Sequence, residues 1–143
     1  MDPKIIYTLL MLIIVTLTNG QGKKISISEL PKEASFFLSK HFPNNPINRA
    51  TKDWEHGEKG YEVRLTDGTE VEFTKDGAWR EVDGHKKAIP TDYIPKPIVN
   101  YVKANYPNER ITHIDKGHKD VDVDLTHRID LEFDTDGKFL KVD

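Results

Sequence analysis

Two passages of this chain are nearly the same, and that repetition constrains the fold more than any other feature. Residues 70–84 read EVEFTKDGAWREVDG, and the chain closes on DLEFDTDGKFLKVD. The likeness extends upstream, where LPKEASFFLSKHFPNNPINRA (30–50) aligns with IPKPIVNYVKANYPNERITHI (94–114) at a constant offset of 64. From Tyr61 onward the offset is 60: Tyr61, Val63, Leu65, Val71, Phe73, Gly77, Trp79 and Val82 meet Val121, Val123, Leu125, Leu131, Phe133, Gly137, Phe139 and Val142. The four-residue difference falls between Asp53 and Tyr61, in the Gly-containing stretch WEHGEKG, as expected of an insertion tolerated in a hairpin turn. A catalytic motif has no need to occur twice, whereas a structural unit gains from it, so the chain reads as a duplicated unit.

Each unit opens with a helix. Pro31 and Pro95 suit a first helical turn. Ala34, Phe37, Leu38 and His41, and in the second copy Ile98, Tyr101, Val102 and Asn105, fall at helical spacing. Pro43 and Pro107 end the helices. Strands follow with a period of two: YEVRL and EVEF in the first copy, VDVDL and IDLEF in the second. That alternation predicts antiparallel strands with one face buried and one wet. Asp67-Gly68, Asp76-Gly77 and Asp136-Gly137 are hairpin dipeptides, because glycine accepts positive φ. The expected fold is α+β, two tandem repeats of a helix plus a four-stranded antiparallel sheet, with the helices on one face. The boundaries read as a signal peptide at 1–20, an N-terminal tail at 21–28, repeat 1 at 29–83, a linker at 84–92 and repeat 2 at 93–143. One unit of about 55 residues would be marginal alone, and sharing a core is a physical reason to have two.

The beginning of the 143-residue chain reads as a secretory leader: Lys4, then the apolar run Ile5 to Leu17, then Thr18-Asn19-Gly20-Gln21. The run is shorter than the roughly 20 apolar residues of a membrane span. The expected location is therefore periplasmic or secreted. Export permits disulfides, yet there is no cysteine, which excludes thiol nucleophiles, thiolate metal sites and a lipid anchor on an N-terminal cysteine. The net charge of -3, with both signs well mixed, gives no basic stripe for nucleic acid.

The paired LP…F..KHFPNNPI and IP…V.ANYPNERI segments, the EVEFTKDGAW and DLEFDTDGKF hairpins and the leader together resemble the PepSY-like family of exported bacterial proteins, also described as beta-lactamase-inhibitor-protein-like. The resemblance covers essentially the whole chain after the leader. It implies tandem helix-plus-four-strand units and, by analogy with the secreted inhibitor, a sheet face able to grip a protein partner. It supplies no catalytic residues.

Chemistry is sparse. Serines occur only at 26, 28, 35 and 39, none in a nucleophile elbow. Histidines 41, 56, 85, 113, 118 and 127 show no zinc spacing. His113 and His118 are placed to approach His127 across neighbouring strands, or to be dispersed surface residues. The acidic residues stand out: Glu62, Glu70 and Glu72 on the polar phase of the first unit, Asp122, Asp124, Asp130 and Glu132 on that of the second, relieved by Arg64 and Arg128. Such clustering is explained by a solvated face, by docking of a basic or polar partner, or by calcium. For calcium, DTDG (134–137) holds only a fragment of the known loop pattern. Paired carboxylates also serve glycosidases, which need a cleft. Trp54 lacks a counterpart in the second copy and borders the inserted hairpin, which makes it an interface candidate. Trp79 matches Phe139 and reads as a repeated packing aromatic. The sequence thus predicts a non-enzymatic protein-binding module without cofactor or bound metal, inhibitor-like in its sharper form. Its partner-binding residues would be Trp54, Glu62, Arg64, Glu70, Glu72, Asp122, Asp124, Arg128, Asp130 and Glu132. The alternative is a calcium or small-ligand binder using the acidic sheet face.

Overall fold

Backbone alternation and two proline-bounded helices organise the structure, a computed structural model that describes residues 22–55 and 58–143, with the side chains of residues 54–59 also outside the description. The stretch read as a leader therefore lies outside the described residues. Nine strands follow one another in space in chain order: β1 (Lys23–Ile25), β2 (Ile47–Glu55), β3 (Glu58–Leu65), β4 (Glu70–Thr74), β5 (Trp79–Asp83), β6 (Ile111–Lys116), β7 (Asp120–Leu125), β8 (Ile129–Asp134) and β9 (Phe139–Val142). Helix α1 (Lys32–His41) precedes β2, and α2 (Lys96–Asn105) precedes β6. Every neighbouring pair is antiparallel.

The two units share one continuous sheet, because β5 of the first pairs with β6 of the second. Along one line, Ile25, Ala50, Val63, Val71, Val82, Ile114, Val123, Leu131 and Val142 stand directly opposite one another across all nine strands. From Ala50 to Leu131 this line is buried. Both helices cover the apolar face. Phe37 of α1 meets Phe73 edge-on at 5.7 Å and stacks on Trp79 at 6.2 Å; Tyr101 of α2 repeats this with Phe133 at 5.5 Å and Phe139 at 4.5 Å. Trp79 is thus a packing aromatic, with Lys116 Nζ 3.7 Å from its ring centre. Asn105 departs from the expected stripe: it is exposed and its amide donates to the Tyr101 carbonyl.

The hairpin glycines explain how each helix lies so close to the sheet. Gly77 and Gly137 have φ of 91° and 88°, and a Cβ on either would come within 2.8 Å of Pro31 or 3.0 Å of Pro97 at the helix starts. Positive φ and close approach both demand glycine. The inserted residues lengthen the β2–β3 hairpin, whose last rungs pair Trp54 with Lys59 and Glu55 with Glu58. Strand β1 falls within the stretch read as an N-terminal tail. Three alternating residues, two of them lysines, leave no periodicity to detect.

Candidate functional site

Antiparallel pairing sends alternate side chains to the face opposite the helices, and there the rows are acidic. Directly opposed across β3 to β8 stand Glu62, Glu72, Glu81, Asp115, Asp122 and Glu132, with Lys141 continuing the row on β9. On the β1 side the row ends with Thr51 and Lys24. A second row runs Arg49, Arg64, Glu70, Asp83, His113, Asp124 and Asp130. Like charges in direct opposition are destabilising, so the compensation matters.

Part of it is local. Arg64 pairs with Glu70 at 2.5 Å, Arg80 with Glu72 at 2.7 Å, and Lys141 with both Glu132 (3.4 Å) and Asp143 (3.2 Å). At the centre, His113 joins the two units: its Nε2 lies 3.2 Å from Glu81 Oε1 on β5 and its Nδ1 2.9 Å from Asp124 Oδ2 on β7. The hydrogen bond to Glu81, aided by the Asp124 charge and opposed by burial, raises the imidazole to about 9. Five carboxyls of the face are held above their ordinary range. Burial, then the Glu70 and Glu72 charges, pushes Glu62 up. Burial and the Glu81 charge raise Asp115, and burial with the Asp120 and Asp115 charges raises Asp122. Asp124 is raised by burial, and Glu132 by a hydrogen bond with Asp120.

Of the residues singled out in the sequence, Glu62, Glu72, Asp122 and Glu132 occupy the first row, and Arg64, Glu70, Asp124 and Asp130 the second. Arg128 is elsewhere. It lies in a tight 3-10 turn at Thr126–Arg128, where His127 and Arg128 have φ of 59° and 60°. Trp54 belongs to β2 by its backbone, and its side chain lies outside the described residues. His113 neighbours carboxylates rather than histidines, and His127 Nδ1 instead meets Glu109 Oε2 at 2.8 Å. DTDG is a turn: the Asp134 carboxylate accepts the Asp136 and Lys138 amides, at 2.9 and 2.8 Å.

Sequence reasoning missed Glu81, Asp83 and Asp115, which with His113 fill the middle of the face, and it did not place His113 there. Extra residues shift the register on both strands involved, at Arg80 on β5 and Thr112 on β6. A bulge breaks the period of two from which faces are read. The seam also borders a cleft of about 780 Å³ lined by residues that include Asp83, His113 and Asp124, together with the turns His85-Lys86 and His127-Arg128. These four are the non-glycine residues with positive φ among the described residues.

Comparison with known proteins agrees with this architecture. Residues 59–141 match the family described as "Putative beta-lactamase-inhibitor-like, PepSY-like". A solved Bacteroides thetaiotaomicron structure, described as a "putative calcium-regulated periplasmic protein", is 35% identical with a TM-score of 0.80 over 85% of this chain and 95% of its own. A Bacteroides vulgatus ATCC 8482 structure from the DUF2874 family, described as a "putative periplasmic protein", is 32% identical with a TM-score of 0.81, covering 86% and 97%. Another from the same organism, described as a "putative periplasmic protein of unknown function", is 31% identical with a TM-score of 0.78, covering 82% and 94%. Among curated proteins none matches. The periplasmic location read from the leader is the one these relatives share, and no helix among the described residues is long and apolar enough to cross a membrane. With its duplicated unit, its continuous sheet and this degree of identity, the chain belongs to the PepSY-like, beta-lactamase-inhibitor-like family.

Proposed function

We propose that this protein is an exported, non-enzymatic binding module that presents its open acidic face to a basic surface of another protein. The observation that carries the reading is the row of six directly opposed carboxylates from Glu62 to Glu132. Holding these charges together costs stability, and a cationic partner returns that cost on docking. Complementary charge also speeds encounter and selects partners. The family's inhibitor-like description supports a protein partner, and an exported hydrolase with a basic rim is the sharper form of the proposal.

The experiment is capture from an envelope extract at low and high salt, with the native chain and a variant carrying Glu62→Lys, Glu72→Lys, Asp122→Lys and Glu132→Lys. A protein held by the native chain, released by salt and lost with the variant supports the docking face. Equal capture by both removes the face from the proposal.

A second reading has its own support. Ligand oxygens of Asp122, Glu132 and Asp143 lie within 4.8 Å of one another. An oxygen-only set suits calcium, and the relative from B. thetaiotaomicron is described as calcium-regulated. A ligand that binds only the folded state raises the melting temperature. Calcium bound at this edge would raise it in the native chain and not in Asp122→Asn. Equal midpoints in calcium and in chelator would overturn this reading.

A further inference from the structure

The seam between the units brings together a set of donors that neither unit has by itself. Glu81 and Asp83 project from β5 to the open face two residues apart, and His113 on β6 stands directly opposite Asp83. One ligand atom from each of the three lies within 4.8 Å of the other two. At the repeat-equivalent positions stand Lys141 and Asp143 for the β5 pair, and Arg49 for the histidine. The donor set is therefore special to the junction.

The orientation of the imidazole is an independent observation. His113 Nδ1 is held 2.9 Å from Asp124 Oδ2 on the far strand β7, which directs Nε2 to Glu81 Oε1 at 3.2 Å, the hydrogen bond that a metal would replace. A metal-binding histidine almost always donates its other N–H to a carboxylate, backbone carbonyl or water, which fixes the ring and strengthens the donor. Asp115, directly opposite Glu81, stands beside the set as a further oxygen donor. The adjoining cleft, lined in part by Asp83 and His113, gives an ion access from solvent.

We propose that Glu81, Asp83 and His113 form a binding site for a divalent transition metal of the zinc class, with Asp124 as the residue that positions the histidine. The nitrogen in the set separates this site from the oxygen-only group at Asp122, Glu132 and Asp143, because imidazole favours zinc, nickel or copper over calcium. On binding, the metal replaces the proton on Nε2 and that proton leaves to solvent. The two units contribute ligands to one ion, so binding also fastens the seam.

The test is a titration of the full chain after the leader with zinc chloride, against a competing chromogenic chelator and in excess calcium. One equivalent of zinc is expected to bind. Affinity should fall at least about tenfold in His113→Gln and by about 10–100-fold in Asp124→Asn, the range seen when an outer partner of a ligating histidine is removed. Glu33→Gln, on α1 across the sheet from the open face, should leave zinc binding unchanged. Cobalt in the native chain supplies a readout that needs no variant, a visible absorption band of low-coordinate nitrogen and oxygen ligation. Absence of one-equivalent binding, equal affinity in native protein and His113→Gln, or a cobalt spectrum identical to the free aqua ion would each overturn the proposal.

Discussion

Arg128 occupies a left-handed backbone position that the first copy gives to Gly68, whose φ is 92°. An L-residue pays roughly 1–2 kcal/mol there, while glycine loses some of that gain through its freer unfolded chain. Arg128→Gly is therefore expected to stabilise the protein by about 1 kcal/mol, read as a higher urea midpoint at an unchanged slope. A lower midpoint would mean that the guanidinium makes interactions worth more than the strain. His113 supplies the second expectation at this scale. Its folded value of about 9 lies above the ordinary 6.5, so its stabilising effect is complete below 6.5 and disappears as pH rises through about 9. In chelator-treated protein the melting temperature should fall between pH 6 and pH 10, and His113→Gln should flatten that fall. Nuclear magnetic resonance titration of the ring measures the value directly. Neither residue was legible in these roles from the sequence. His127-Arg128 is not a recognised turn dipeptide, and the partners of His113 lie 32 and 11 residues away in the chain.

Among the elements, both helices and the strands β3, β4, β7 and β8 were legible, because prolines bound the former and unbroken alternation marks the latter. β5 and β6 were harder. Each unit has its bulges at equivalent places, near Asn48 and Thr112 and near Arg80 and Leu140, and each bulge moves side chains to the other face partway along a strand. The acidic face was accordingly legible at its flanks and not at its centre. The seam these strands form rests on three paired positions, of which Val82 opposite Ile114 is fully buried. Truncating Ile114 to alanine removes packing beneath the joint and is expected to cost about 2–5 kcal/mol. Leu140→Ala, which trims a side chain that is 49% exposed, should change the denaturation midpoint little. Comparable losses for the two would contradict the burial pattern.

Taken as a whole, the molecule repeats one joint at two scales. Val82 meets Ile114 where the first unit ends and the second begins; Ile25 meets Ala50, the repeat-equivalent of Ile114, where the first unit itself begins. Strand β1 thus sits against β2 as β5 sits against β6. Without it, the free edge of β2 would be a template for β9 of another copy, in the same register the chain uses internally. By covering that edge, the three-residue strand would act as a plug against such growth, since a head-to-tail contact that does not close on itself makes a filament. Its lysines, on an edge strand, discourage a further chain from adding outside it. Removing residues 22–25 should give concentration-dependent linear polymers, visible by light scattering. A truncated chain with an unchanged scattering mass would show that the plug is dispensable. Duplication supplied a larger core and, with it, two edges complementary to each other, one of which β1 covers.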